Sequence, residues 1–234
     1  MIMFLLWDHR TAWKERERTI IKSCAFVKPS TFTFSCRRLI LPASIAMPIP
    51  LPTNAKRMFK GVLFDTWQWD QEMFDGTHDT FECLTRQDTV ATISFLDPKT
   101  IILTRQEQSG RDTPFLDFPG GRVDGTESHE DAARREFLEE TGLTIGRIWR
   151  FRLTEHHGSQ RFDQSVFVAA DLMDHIKERH LDPGERIEIL KTSWDDAVRM
   201  SLHHELRQPE VMLAVLRLAY DPEAKQQLDA FLRG

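Results

Sequence analysis

The stretch Pro119-Gly120-Gly121-Arg122-Val123-Asp124-Gly125-Thr126-Glu127, continued by Arg134-Arg135-Glu136-Phe137-Leu138-Glu139-Glu140-Thr141-Gly142-Leu143, decides how this chain is read. The apolar run Phe115 to Phe118 stops at Pro119. Glu127 to Thr141 then reads as a helix closed by Gly142, since glycine adopts the left-handed C-cap without steric cost. The local order is strand, glycine turn, helix. On such a helix Glu136 and Glu140 stand one turn apart on one face, with Glu139 three residues beyond Glu136. A solvated helix with i,i+4 pairs such as Arg135 with Glu139 is the blander reading; it accounts for the charge but not for the crowding of acids.

Outward from this segment the pattern is one of short β-rich runs and turn residues. Met58 to Trp69 and Thr80 to Thr85 read as two strands joined across Asp75-Gly76. Thr89 to Leu96 and Thr100 to Thr104 flank Asp97-Pro98-Lys99, where Pro98 fixes φ and cannot donate to a ladder. Leu143 to Leu153, Gln164 to Ala170 and Glu188 to Thr192 are further strands. Ser193 is an N-cap followed by acidic residues, and Pro209 to Tyr220 is an apolar-periodic helix with proline in its first turn. Strands with helices between and after them predict an α/β (α+β) fold, a mixed sheet covered by helices.

The first 55 residues differ in kind. From Arg18 to Phe64 no acidic residue occurs, and basic residues are scattered among Ser, Thr and Pro. A disordered extension, a transit peptide, or an upstream start with translation beginning at Met47 or Met58 all compete, and Asp8, Glu15 and Glu17 count against the transit peptide. Pro48 to Pro52 marks a boundary. The folded domain is expected over 56–234, divided into a hairpin (58–86), a core (87–205) and C-terminal helices (206–233).

The 234 residues, 41% hydrophobic and 29% charged, suit a soluble globular chain with one core. A net charge of −5 and a pI near 6.0 argue against a nucleic-acid partner, so a small anionic substrate has to be met by local cations. Cys24, Cys36 and Cys83 form neither a disulfide framework nor a CxxC pair, which points to a reducing, cytoplasmic setting. The apolar opening Met1 to Trp7 is far short of the roughly 20 residues of a membrane helix, and no membrane partner is expected.

The acidic cluster repels itself unless a cation sits within it, and hard oxygen donors select Mg²⁺ or Mn²⁺, the ions phosphate oxygens also prefer. A metal so held polarises a phosphoryl oxygen, acidifies a bound water and aligns the two for attack. The segment resembles, at every defined position, the Nudix box G-x5-E-x7-REU-x-EE-x-GU, with Gly121, Glu127, Arg135, Glu136, Phe137, Glu139, Glu140, Gly142 and Leu143 in the defined places. The resemblance implies a Nudix-type α/β/α sandwich and hydrolysis of a phosphoanhydride. It implies that Glu136 and Glu140 are metal ligands and Glu139 a ligand or proton acceptor. Arg135 holds the glutamates by ion pairing, Glu127 supports the site or touches a second metal, and the Gly120 carbonyl is a further ligand.

Outside the box the chain is similar to the ADP-ribose and nucleoside-diphosphate-sugar pyrophosphatase branch. That likeness implies a nucleoside diphosphate derivative as substrate, an N-terminal β-hairpin extension exchanged in a homodimer, a phosphate contact at Arg105, and a general base at Glu185 on a mobile loop, 181–188. Two departures touch specificity. Gln108 stands where the branch commonly has a second arginine, and the region after the box reads His156-His157-Gly158-Ser159 where a proline is usual. Trp67 and Trp69, two apart on a strand, share a face and either sandwich a base or pack in the core. His156 and His157 are read as loop residues in reach of substrate. Dinucleoside polyphosphates, coenzyme A and oxidised nucleoside triphosphates remain alternative substrates, and a non-catalytic nucleotide sensor is the alternative class.

Overall fold

A computed structural model describes residues 51–174, 179–181 and 183–234. The strands are β1 (Lys56–Lys60), β2 (Asp65–Glu72), β3 (His78–Thr85), β4 (Thr89–Asp97), β5 (Thr100–Gln108), β6 (Phe115–Asp117), β7 (Leu143–His157), β8 (Gln160–Asp174) and β9 (Glu185–Ser193). The helices are α1 (His129–Thr141), α2 (Trp194–Leu202), α3 (Pro209–Tyr220) and α4 (Pro222–Arg233). The proposed extension lies, up to residue 50, outside the described residues.

The sheet is mixed. β8 runs parallel to β4 from Thr89↔Gln164 to Ser94↔Ala169 and antiparallel to β7. β5 pairs antiparallel with β4, β6 and β9. β3 reaches β8 at Leu84↔Gln160 and Thr85↔Arg161.

Side-chain parity along the central strands builds three layers, because successive residues of a strand face opposite ways. Ala91, Ile93 and Phe95 of β4, Ile101 and Leu103 of β5, and Val166 and Val168 of β8 pack with Val211, Met212, Val215 and Leu218 of α3 and Leu228 of α4. The residues between them, Val90 and Phe167, meet Ala132 and Ala133 of α1, while Ile102 and Ala169 meet Phe137. Small alanines let α1 lie close on the sheet, and Phe137, fully buried, locks its rotation. The result is the expected α/β/α sandwich, with α1 on one face and α2–α4 on the other.

Boundaries depart from the sequence reading for local reasons. The run Met58 to Trp69 is two strands, because the chain turns at Gly61, whose N–H donates to the Phe64 carbonyl at 3.0 Å. A Cβ there would meet that oxygen at 2.3 Å. The N-terminal element is thus a three-stranded antiparallel meander rather than a hairpin. Its second turn, with Gly76 at φ 80°, falls where Asp75-Gly76 placed it. Helix α1 starts two residues later than expected, at His129, because the Ser128 hydroxyl accepts the Asp131 N–H at 3.1 Å as N-cap. It ends at Gly142 with φ 75°. Strand β9 starts three residues earlier than expected, so Glu185 is its first residue, opposite Gln108, and not a loop residue.

Candidate active site

The β6–α1 turn is built around two glycines that have no room for a side chain. A Cβ on Gly120 would lie 2.1 Å from the Val90 carbonyl oxygen, so the turn is pressed against β4. A Cβ on Gly121 would lie 2.3 Å from the Glu136 carboxyl carbon. The bare backbone of Gly121 therefore makes the space in which that carboxylate sits. Val90 and Thr92 N–H groups take the carbonyls of Gly121 and Pro119. The Gly120 carbonyl between them has no hydrogen-bond donor among the described residues, while its N–H donates to Glu140 Oε2 at 3.0 Å.

From the second turn of α1, Arg135 gathers the acids. Its Nε and Nη2 donate to the two oxygens of Glu127 at 3.2 and 2.6 Å, and its Nη1 reaches Glu136 at 3.0 Å and Glu139 at 3.1 Å. Nη2 also donates to the Arg122 carbonyl. Glu127 Oε1 accepts the Asp124 N–H at 2.7 Å, so both of its oxygens are used in bracing the loop. Glu136 Oε1 further accepts the Arg122 N–H at 3.2 Å.

The electrostatics follow from burial. Glu140 is buried, and its carboxyl is raised well above the usual range, first by loss of water and then by the neighbouring charges of Glu136, Glu185 and Asp117. Burial also raises Glu136, against the pull of Arg135. Hydrogen bonding to Arg135 lowers Glu127, and the same bonds raise the guanidinium further. Asp117 is pushed up to about 6 by burial, although Gln208 and the Phe118 N–H donate to it. One guanidinium thus serves Glu127, Glu136 and Glu139, while Glu140 is left with neutral donors.

Gly120, Arg135, Glu136, Glu139 and Glu140 line an open cleft of about 960 Å³, large enough for a nucleotide-sized ligand. Strand parity decides what enters it. Thr104, Gln106 and Gln108 share the α1 face of β5 with Ile102. Gln106 Nε2 donates to Glu140 Oε1 at 3.4 Å, and Gln108 Nε2 donates to Gln106 Oε1 at 3.3 Å and to Glu185 Oε1 at 3.1 Å. Two glutamines therefore link Glu185 to Glu140.

Arg105 has the opposite parity. It faces away from the cleft, 3.7 Å from Glu107 and 3.6 Å from Glu188, and the structure does not bring it to the glutamates. Trp67 and Trp69 also lie outside the cleft lining. Trp69 is buried against Phe81 with Arg161 over its ring, and the Trp67 indole donates to Thr85 at 3.0 Å, so packing holds both. His156 and His157 belong to β7 rather than a loop; His156 stacks on Phe162 and neither lines the cleft. Among the described residues, the arginines that do line it are Arg86, Arg122, Arg135 and Arg207, with Phe162 beside Arg86. Arg86 and Arg207 escaped the sequence reading because no motif marks them; tertiary pairing alone carries them there.

The NUDIX domain model matches residues 85–217, more than half of the 234-residue chain. The chain belongs to the NUDIX family. It is 25% identical over 163 residues to an ADP-ribose pyrophosphatase of Bacillus subtilis (strain 168), covering 68% of this chain and 87% of that protein. A shorter likeness, 52% identical over 46 residues, joins it to a putative 8-oxo-dGTP diphosphatase of the same organism, covering 18% of this chain and 31% of that one. Among solved structures, an ADP compounds hydrolase superposes with a TM-score of 0.62 at 20% identity, over 74% of this chain and 95% of that one, a likeness of fold. This chain is a Nudix hydrolase with an intact box.

The residues present suit a divalent cation. Among the described residues no three acidic, His or Cys side chains already converge on one point at coordination distance. The fit lies in the donor set: carboxylates of Glu136, Glu139 and Glu140 and the unused Gly120 carbonyl are all hard oxygens, and Glu140 faces Glu136 without a cation of its own. No described helix is long and apolar enough to cross a membrane.

The two glycines separate site from scaffold. Gly121→Ala pushes the flexible end of Glu136 aside, so turnover of the preferred nucleotide is expected to fall on the order of 100-fold with the unfolding midpoint little changed. Gly120→Ala meets backbone, which cannot yield, and is expected to lower the midpoint itself. Unaltered kinetics in Gly121→Ala would remove Glu136 from the site.

Proposed function

We propose that the protein hydrolyses the pyrophosphate of a nucleoside diphosphate linked to another group, with ADP-ribose or a nucleotide sugar as substrate and Mg²⁺ or Mn²⁺ as cofactor. The observation that carries this is the crowding of Glu136, Glu139 and Glu140 about the Gly120 turn, inside a cleft of nucleotide size. Likeness to an ADP-ribose pyrophosphatase over 87% of that protein's length supports the substrate class.

Glu136, Glu140, Glu139 and the Gly120 carbonyl would hold the metal. When bound, it supplies charge for the phosphoryl oxygens and acidifies the attacking water. Arg135 fixes the carboxylates, so little reorganisation is left for the reaction itself. Glu127 braces the 122–127 loop through Arg135 and the Asp124 N–H. Glu185, at the cleft rim and oriented by Gln108, is the candidate base that takes the water proton. Glu139, more exposed than Glu136, is the second candidate for that proton. Gln108 stands as a neutral donor to Glu185 where the branch commonly has a cation.

The match to a putative 8-oxo-dGTP diphosphatase favours a second reading, a nucleoside triphosphate substrate, on a smaller share of the chain. A homodimer fits the meander, where Met58, Phe59, Val62, Phe74 and Phe81 are exposed. The buried free thiol of Cys83 suits a cytoplasmic setting.

With Mg²⁺ or Mn²⁺, AMP release is expected from ADP-ribose or nucleotide sugars ahead of NADH, dinucleoside polyphosphates and nucleoside triphosphates, and is abolished by chelation. Glu140→Gln is expected to lower kcat about 1,000-fold, the scale of several kcal/mol of transition-state charge stabilisation. Equal rates with chelator present, or full activity in the variant, would overturn the metal role. Sedimentation at micromolar concentration is expected to give twice the chain mass of 27.3 kDa, and a monomer would remove the exchanged dimer.

A further inference from the structure

The cleft carries arginines as well as acids. Sheet order places β5 and β9 at one end, with Gln106, Gln108 and Glu185, and β3 and β8 at the other, with Phe162 and the residue that follows β3, Arg86. The acidic helix α1 serves the first end through the Gln106–Glu140 bond. Arg86 stands at the second end beside Phe162, and Arg207 lines the cleft from beside β6, its backbone N–H donating to the Leu116 carbonyl.

Arg86 is the informative member. It is half-buried, its guanidinium carbon lies 5.0 Å from the Phe162 ring and 5.7 Å from that of Phe64, and its Nε is buried with no hydrogen-bond partner. Among the described residues neither Arg86 nor Arg207 has a carboxylate within ion-pair distance; Arg207 rests on the Phe115 ring instead, at 4.7 Å. Asp124, which also lines the cleft, sits 3.7 Å from Arg135. Burial and the charges of Arg122 and Arg207 depress the Arg86 guanidinium below its usual range. A buried guanidinium donor without a partner, as in Arg86, beside a second guanidinium with no carboxylate in reach among the described residues, as in Arg207, is costly unless an anion completes the pair.

Resting on the pyrophosphatase reading, we infer that Arg86 and Arg207 form a second anion site, which takes a phosphate of the substrate additional to the scissile pyrophosphate. The scissile group belongs at the glutamates, where the metal offsets its charge. The Arg86–Arg207 pair then selects for substrates that carry phosphate beyond the scissile group, either as a phosphomonoester on the nucleoside ribose or as a longer phosphate chain. Planar guanidinium forks bind such groups by two parallel hydrogen bonds, and partial burial strengthens each.

The test compares kcat/KM for ADP-ribose 2′-phosphate and ADP-ribose, in the unaltered protein and in Arg86→Gln, Arg207→Gln and the double variant. Calorimetry without metal, of adenosine 2′,5′-bisphosphate against AMP and of ATP against ADP, reads binding apart from turnover. At least one of these phosphate-bearing ligands is expected to be favoured by about tenfold or more, the ratio falling toward one in the double variant and recovering in part with Arg86→Lys. The 2′-phosphate pair and the ATP pair tell the two sources apart. Ratios near one for every pair, or ratios unmoved by the glutamine substitutions, overturn the proposal. Equal losses on both members of each pair do so as well, since they would make Arg86 a stacking platform for the base. If no compound is hydrolysed while arginine-dependent phosphate binding persists, the pyrophosphatase reading falls and the anion site stands.

Discussion

Glu140 is a carboxylate removed from water and set beside Glu136, with the N–H of Gly120 and the amide of Gln106 as its donors. Burying a charge without a counter-charge is among the most costly things a fold can do, and a like charge alongside adds to the cost. Much of the surrounding architecture serves to make that position tolerable. The Gly120–Gly121 turn is pressed against β4 to deliver the N–H and to clear room for Glu136. The alanines of α1 bring the helix down onto the sheet, and Arg135 draws Glu127, Glu136 and Glu139 into one network. A divalent cation among these oxygens would turn the cost into binding energy, and the fold is arranged as though one were expected there.

The sandwich supplies the rest through parity. Because α1 lies on one face of β4, β5 and β8, alternate residues of those strands face the site while their neighbours face α2–α4. Gln106 and Gln108 therefore join the glutamates, and Arg105, one residue before Gln106, is turned to the far side. Acids and arginines share the cleft, with Glu140 joined to Gln106 of β5 and Arg86 set beside Phe162 of β8. A ligand with several anionic groups can bridge the two, one group through metal and another through guanidinium.

Legibility in the sequence tracked the range of the interactions. The strand–turn–helix segment was readable because helical spacing alone brings Glu136, Glu139 and Glu140 together, and Gly142 ends the helix by its own backbone freedom. The Asp75-Gly76 turn was equally local. The break at Gly61 was not, since one glycine in a β-rich run says little until the close approach of the Phe64 carbonyl is known. Assigning Arg105 by likeness to relatives passed over a signal that was present, the shared parity of Thr104, Gln106 and Gln108. Arg86 and Arg207 reach the cleft from the end of β3 and from the α2–α3 connection, a juxtaposition set by sheet order and helix docking, which no spacing in the chain announces. Placing Glu185 on a loop missed its pairing with Gln108, also a long-range contact.

The most direct test of the central claim is Mn²⁺ binding to the full chain without nucleotide, followed by electron paramagnetic resonance across a titration. The account predicts saturable binding that is lost in Glu136→Gln and Glu140→Gln, and retained in Arg86→Gln, which alters only the opposite end of the cleft. Absence of saturable binding, or binding indifferent to both glutamates, would mean that the carboxylate cluster is not a metal site and that its burial has another cause.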